Sequence, residues 1–234
     1  DAYSNSAASD AAQLFPLLIE SWRNHFNQCE LPFIFVQLPS FKHADWPTFR
    51  ESQRQTELSI PNTMMAVTID LGDETNIHPK DKKPIGDRLL RLAINNVYKA
   101  KENPEQLGFP TARNIEHLEN KLVINFDNCG SGFLPVEGDL PGFEIGDAEG
   151  NYVTVEAELT EPNSVTLLCQ KPIPSTVRYL WEGYAKNKVK LFNEDGLPVG
   201  PFCMPVTKTS PSTRSSSNRS QTPPIVAHRG ASAA

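Results

Sequence analysis

The sequence lacks long hydrophobic runs and paired cysteines. No stretch of its 234 residues approaches the ~18 consecutive apolar residues of a membrane span, so we predict no membrane partner. The cysteines show no Cys-x-x-Cys spacing and no paired histidines accompany them, so we predict no metal and no cofactor. We interpret them as small buried side chains, with disulfide bonds as the alternative in an exported protein. The four are Cys29, Cys129, Cys169 and Cys203.

Positive charge is also scarce. The chain has 22 Lys and Arg residues against 28 Asp and Glu residues, a net charge of -6. Nucleic acids and anionic membranes attract basic proteins, so we predict neither as a partner. The sequence contains no internal repeat and no glycine-rich phosphate loop. Hydrophobic residues make up 38% of the chain, which is enough for a globular core.

Residues 10–99 show an alternation of helical and strand patterns. This alternation predicts part of a doubly wound parallel sheet of the α/β class. Two strands are too few for a stable sheet, so we expect further strands in polypeptide that precedes Asp1 or in a separate chain. Because proline is tolerated only near a first turn, Pro16 suggests that the first helix starts late. The predicted elements are a helix at 10–26, a strand at 31–39, a helix at 46–58 capped by Asp45, a strand at 63–69 and a helix at 84–98.

The pattern changes after Lys99. Residues 100–120 are polar, contain Pro104, Gly108 and Pro110, and are predicted to be a linker. Residues 121–205 alternate short strand-forming runs with turn residues, including Asp195-Gly196, and predict a small antiparallel β-module. Residues 206–234 are rich in Ser, Thr, Pro and Arg and predict a disordered tail. The strand-forming runs are 122–126, 143–145, 152–157, 165–169, 177–181 and 188–192.

A candidate catalytic loop follows the second predicted strand. The run at 64–69 ends in Asp70 and Asp73, and His78 precedes Pro79 before the next helix. Ligands in open α/β sheets lie beyond the carboxyl ends of the strands, where a general base and its orienting acid are expected. The alternative from composition alone is a surface histidine before a turn proline.

Three ordered blocks resemble the sialate O-acetylesterase family, carbohydrate esterases of the SGNH-hydrolase type. The blocks are 14–38, 61–91 and 142–202, and the most specific motif is Asn76-Ile77-His78-Pro79-Lys80-Asp81-Lys82. The resemblance implies that residues 1–99 are the C-terminal part of a flavodoxin-like SGNH domain. It also implies release of acetate from an acetylated carbohydrate by a serine nucleophile, with His78 as the base.

The family's Gly-Gln-Ser-Asn and Gln-Gly-Glu-Ser type blocks are not in this sequence. The resemblance therefore implies that the serine and the oxyanion donors lie in an N-terminal segment or subunit of the same hydrolase, and that this chain alone is inactive. The family's usual setting implies a secreted, periplasmic or lysosomal protein. A non-catalytic carbohydrate-binding or scaffold protein with the same fold is the alternative.

The orienting acid is where the sequence departs from the family. SGNH hydrolases usually place Asp three residues before the histidine, and Thr75 occupies that position here. We therefore predict Asp73 as the acid, with Asp70 or a backbone carbonyl as alternatives. We expect structural roles for Arg50, Gln53 and Lys80. The set Arg178, Tyr179 and Trp181 is predicted to pack in the core or across strands rather than to bind sugar.

Overall fold

The computed structural model describes residues 7–99, 108–169 and 172–207. Three helices and two strands form the first part, and eight strands form the second. None of the described helices is long and apolar enough to cross a membrane. The first part contains α1 (Ala7–His25), β1 (Phe33–Val36), α2 (Trp46–Ser59), β2 (Thr63–Ala66) and α3 (Lys83–Leu92), which continues into a π-helical turn at Ala93–Val97. The second contains β3 (Thr111–Leu118), β4 (Lys121–Asp127), β5 (Phe143–Gly146), β6 (Tyr152–Thr154), β7 (Ala157–Glu161), β8 (Ser164–Leu168), β9 (Thr176–Tyr179) and β10 (Phe202–Pro205).

The first part follows the predicted order of helices and strands. β1 and β2 pair in parallel, from Phe33 opposite Thr63 to Val36 opposite Ala66. Among the described residues this two-stranded sheet is the only parallel one. The predicted doubly wound sheet is therefore not confirmed. The fold is mixed α/β with more antiparallel than parallel pairing.

The helix α1 does not start late, contrary to prediction. It begins at Ala7, and Pro16 lies inside it. Proline removes one backbone hydrogen bond in a helix interior, but packing of the neighbouring side chains offsets that loss. Ile19 is fully buried, and the ring of Phe15 lies edge-on to Phe35 of β1 at 4.8 Å between centroids.

Side chains of the helix α2 hydrogen-bond to the backbone at the end of β1. The Gln53 amide donates to the Val36 carbonyl and accepts from the Leu38 N–H, and Arg50 donates to the Leu38 and Pro39 carbonyls. These contacts confirm structural roles for Arg50 and Gln53. The side chain of Asp45 does not cap α2, although Pro47 occupies the first turn as predicted.

The β-module consists of two four-stranded antiparallel sheets, with strand orders β3-β4-β8-β7 and β10-β9-β5-β6. The prediction of a linker was wrong for β3, which pairs with β4 from Thr111 to Leu118. A register irregularity between Ala112 and Asn114 interrupts the alternation of buried and exposed side chains. The sequence of β3 therefore lacks the period of two that predicts a strand.

Two further expectations need correction. The segment 188–192, predicted as a strand, does not form one. Its first residue ends a 3-10 turn at Lys186–Lys188, and the segment makes a single bridge, from Phe192 to Pro198, across the Asp195-Gly196 turn. The tail is held at its start, because Val206 and Thr207 donate backbone hydrogen bonds to the Ser175 and Ile115 carbonyls. The rest of the predicted tail, 208–234, lies outside the described residues.

The two parts share one apolar core. Buried side chains run from Phe35 and Met65 in the parallel sheet to Phe126 and Phe202 in the β-module. This continuity confirms that the module packs against the α/β part. The four cysteines are all free, and only Cys129 and Cys169 are buried as the sequence suggested.

Candidate active site

The loop 70–78 lies at the carboxyl ends of the two parallel strands. The hydroxyls of Thr68 and Ser40 donate to the Gln37 and Ile69 carbonyls, both at 2.6 Å. Gly72 lies against Ser40 with a φ of +101°, and a Cβ at this position would be 2.2 Å from the Ser40 carbonyl oxygen. Only glycine fits this close approach, so the start of the loop is fixed to the end of β1.

Asp70 is fully engaged by Arg88. Arg88 Nη1 donates to Asp70 Oδ1 at 2.7 Å, and Nη2 donates to Oδ2 at 2.6 Å. Arg88 Nη1 also donates to the Val67 carbonyl, and both side chains of the pair are largely buried. Asp70 therefore anchors the loop to α3, and neither of its oxygens is directed to an imidazole.

Asp73 shapes the outer part of the loop. Its Oδ1 accepts hydrogen bonds from the Thr75 N–H, the Thr75 hydroxyl and the Asn76 N–H at 2.8–2.9 Å. These bonds lower the pKa of Asp73, and those from Thr75 have the largest effect. The carboxylate is therefore charged at neutral pH. Within the described residues its second oxygen, Oδ2, accepts no hydrogen bond.

His78 is exposed at the end of this loop. Its backbone N–H donates to Asn76 Oδ1 at 2.9 Å. In the part of the chain that the structure describes, no carboxylate and no serine hydroxyl hydrogen-bonds to its ring. The structure thus places the predicted base and acid in one loop but does not pair them. Lys80 is exposed two residues further on.

A depression of about 390 Å³ borders the loop, and the sequence did not reveal it. It is lined by Glu74 of the loop, by Lys42 and His43 after β1, and by residues 182–184 of the β-module. His43 Nδ1 accepts from the Asp45 N–H at 3.3 Å, and its ring lies 5.3 Å from that of Trp46. The only sequence signal for His43 was its position beyond the carboxyl end of a predicted parallel strand.

The predicted packing set, Arg178, Tyr179 and Trp181, divides into two outcomes. Arg178 lies directly opposite Glu144, donates to its carboxylate at 2.8 Å and covers the ring of Tyr152 at 3.6 Å. Tyr179 is fully buried and stacks on Phe143. These contacts confirm the predicted packing for both residues. Trp181 is only half-buried and lines a second depression, of about 300 Å³.

Side chains for metal binding are not clustered in the described segments. Among them, no group of three or more His, Cys, Asp or Glu side chains is arranged to hold a metal ion.

Comparison with known proteins finds similarity to solved structures. No protein-family model matches the sequence, and no curated protein matches it. A crystal structure described as a novel carbohydrate acetylesterase from Xanthomonas citri matches 86% of this chain with 32% sequence identity and a TM-score of 0.76. The chain spans 47% of that protein, about half of its length. The structure therefore has the fold of part of a carbohydrate esterase.

Proposed function

We propose that this chain is the C-terminal part of a carbohydrate O-acetylesterase of the sialate O-acetylesterase, SGNH-hydrolase type. The observation that carries the proposal is the position of His78. The residue is exposed at the carboxyl ends of parallel strands, in a fold shared with a carbohydrate acetylesterase. Ligands of open α/β folds bind at this edge of the sheet.

In the proposed mechanism, His78 accepts the proton of a serine hydroxyl as the serine oxygen attacks the acetyl carbonyl carbon. The tetrahedral intermediate collapses, the bond to the sugar oxygen breaks, and that oxygen leaves with the proton from His78. His78 then removes a proton from water as the water oxygen attacks the acetyl-serine, and it returns this proton to the serine oxygen as acetate leaves. Asp73 is proposed to orient the imidazole through Oδ2, because Asp70 is occupied by Arg88.

We propose that the serine and the oxyanion donors come from an N-terminal segment or subunit of the same hydrolase. Its docking surface would be the exposed apolar face of α1 beside β1. Large apolar side chains on this face are about half exposed or more, and β1 pairs with no described strand on its outer edge. The face consists of Leu14, Leu17, Leu18 and Trp22 of α1, together with Phe26, which follows the helix.

The resemblance also motivates two further proposals. The substrate would be an acetylated sugar, and the protein would act in a secreted, periplasmic or lysosomal compartment. Neither proposal affects the chemistry assigned to His78.

Hydrolysis of 4-nitrophenyl acetate by the complete protein tests the function. The variant His78→Ala is expected to lower kcat by about 10²–10⁴-fold, the range that a general base contributes. The variant His117→Ala in β3, which lines neither depression, is the matched control and should keep its rate. Absence of hydrolysis by the complete protein, or an unchanged rate in His78→Ala, would reject the esterase proposal.

One observation favours the alternative of a non-catalytic carbohydrate-binding protein. Among the described residues, the His78 ring has no carboxylate or serine partner. The same experiment separates the two, because a non-catalytic binding protein would not hydrolyse 4-nitrophenyl acetate.

A further inference from the structure

A short segment of the β-module separates the two depressions. Glu182 lines both of them, Tyr184 lines the first beside the His78 loop, and Trp181 lines the second. We call residues 181–184 the aromatic platform. Trp181 and Tyr184 are both partly exposed, and each lines a depression.

The platform is held rigidly by a buried arginine. Arg50 Nη1 donates to the Glu182 carbonyl at 2.8 Å, and Nη2 donates to the Gly183 carbonyl at 2.6 Å. A Cβ on Gly183 would lie 2.5 Å from the His43 carbonyl oxygen, so the platform packs closely on the backbone after β1. A platform fixed in this way loses little conformational entropy when a ligand binds.

Residues that flank the platform in space and in sequence hydrogen-bond to the loop that carries His78. The Lys42 N–H donates to the Glu74 carbonyl at 3.2 Å, and Lys186 Nζ donates to the Gly72 carbonyl at 3.3 Å. Glu74 lines the same depression as Tyr184 and precedes His78 by four residues. A ligand that lies across the platform would therefore extend toward the proposed reaction centre.

The charges around the platform favour a neutral ligand. Lys42 pairs with Glu74 at 3.2 Å, and Lys188 pairs with Glu182 at 2.7 Å. Each lysine of the two depressions is thus already paired with a carboxylate. A sugar carboxylate or a phosphate would have to compete with those partners, whereas neutral hydroxyl groups can hydrogen-bond to the same side chains.

We propose that the aromatic platform is a binding site for the sugar rings of a neutral oligosaccharide, beyond the ring that carries the acetyl ester. Partly exposed indole and phenol rings offer flat apolar faces with a polar edge, and carboxylates at their sides accept hydroxyl hydrogen bonds. Two depressions of about 300 and 390 Å³ lie at the lower end of the range for ligand sites. That the neighbouring ring carries an acetyl ester rests on the proposed function, and the platform adds a binding site for further rings of the same substrate.

Direct binding tests the platform without reference to activity. Xylotetraose, cellotetraose and mannotetraose would be titrated into the complete protein while the Trp181 indole N–H signal is followed by NMR. At least one of them is expected to shift this signal, and in isothermal titration calorimetry Trp181→Ala and Tyr184→Ala should each weaken binding by about tenfold. The exposed Tyr98→Ala is the matched control and should bind normally. If none of the three sugars shifts the Trp181 signal, the platform is not a neutral-sugar site.

Kinetics separate this inference from the esterase proposal. In Trp181→Ala, kcat/KM for the acetylated tetrasaccharide should fall about tenfold relative to kcat/KM for 4-nitrophenyl acetate, through a higher KM for the tetrasaccharide. Binding of sugar by a protein that releases no acetate would reject the esterase proposal and keep the platform. Equal loss on both substrates would show that Trp181 is only structural and overturn the inference.

Discussion

Arg88 and Asp70 form a two-point ion pair, in which Nη1 and Nη2 each donate to a different carboxylate oxygen at 2.7 and 2.6 Å. The pair joins α3 to the first residue of the loop that ends at His78. It removes Asp70 from the candidates for the acid that orients His78, and it makes the loop depend on α3 for its position.

Loss of this pair should destabilise the protein. Arg88→Met leaves a largely buried carboxylate and the Val67 carbonyl without their donor, which is expected to cost about 3 kcal/mol of unfolding free energy. Urea unfolding measures the change. Arg113→Met is the matched control, because its pair with Asp127 is more than half exposed and should be worth less than about 1 kcal/mol. Equal effects in the two variants would contradict the anchoring role.

Asp73→Asn tests the proposed acid. The amide oxygen can still accept the loop hydrogen bonds, but the negative charge is lost, so kcat of the complete protein should fall about 10- to 100-fold. Stability should change little because the side chain is exposed. Asp81→Asn changes an exposed aspartate between this loop and α3 that accepts one backbone hydrogen bond, and it is the control. An unchanged kcat in Asp73→Asn would leave Asp73 a role in loop shape alone.

Glu57 should make stability depend on pH. Burial between α2 and β2 raises its pKa from 4.5 to about 7, although the Met65 N–H donates to Oε1 at 2.7 Å and opposes the shift. The folded state therefore holds this proton more tightly than the unfolded state. Its contribution to unfolding free energy should fall as pH rises from about 4.5 to about 7, at up to about 1.4 kcal/mol per pH unit.

Urea unfolding at several pH values, compared between wild type and Glu57→Gln, isolates this contribution. The variant keeps an acceptor for the Met65 N–H, so it should be more stable than wild type at pH values above the shifted pKa and lack the decline. Glu20→Gln changes an exposed glutamate of α1 and should leave the wild-type profile intact. A profile of Glu57→Gln that parallels wild type would contradict the assignment.

Two glycines should respond in opposite ways to alanine. A Cβ on Gly183 would lie 2.5–2.7 Å from backbone atoms of Phe41 and His43, so Gly183→Ala should destabilise the protein by about 2 kcal/mol or more. Gly86 lies within α3 with open space around it, so Gly86→Ala should stabilise by about 0.5–1 kcal/mol. Thermal unfolding compares both with wild type. A stable Gly183→Ala would show that the platform can move away from the segment after β1.

Local sequence patterns predicted most of the helices and strands, because each of these elements depends largely on residues that are close together in the sequence. The alternation of apolar stripes and β-branched runs predicted α1 to α3, β1 and β2, and the turn at Asp195-Gly196 was also found. The pattern failed at β3, where a register irregularity breaks the period of two, and at 188–192, where strand-forming residues have no partner strand. A strand requires a neighbour, and neighbours are set by residues distant in sequence.

For the site, the sequence by itself determined which groups are available: an imidazole before a proline, two acids ahead of it, and their place after a buried strand. Only the tertiary structure decided how these groups are used. Arg88 reaches Asp70 from α3, and the β-module brings Trp181 and Tyr184 to the same end of the parallel strands. Such contacts join residues 18 to more than 100 positions apart, so they follow from packing of the whole chain and leave no local pattern in the sequence.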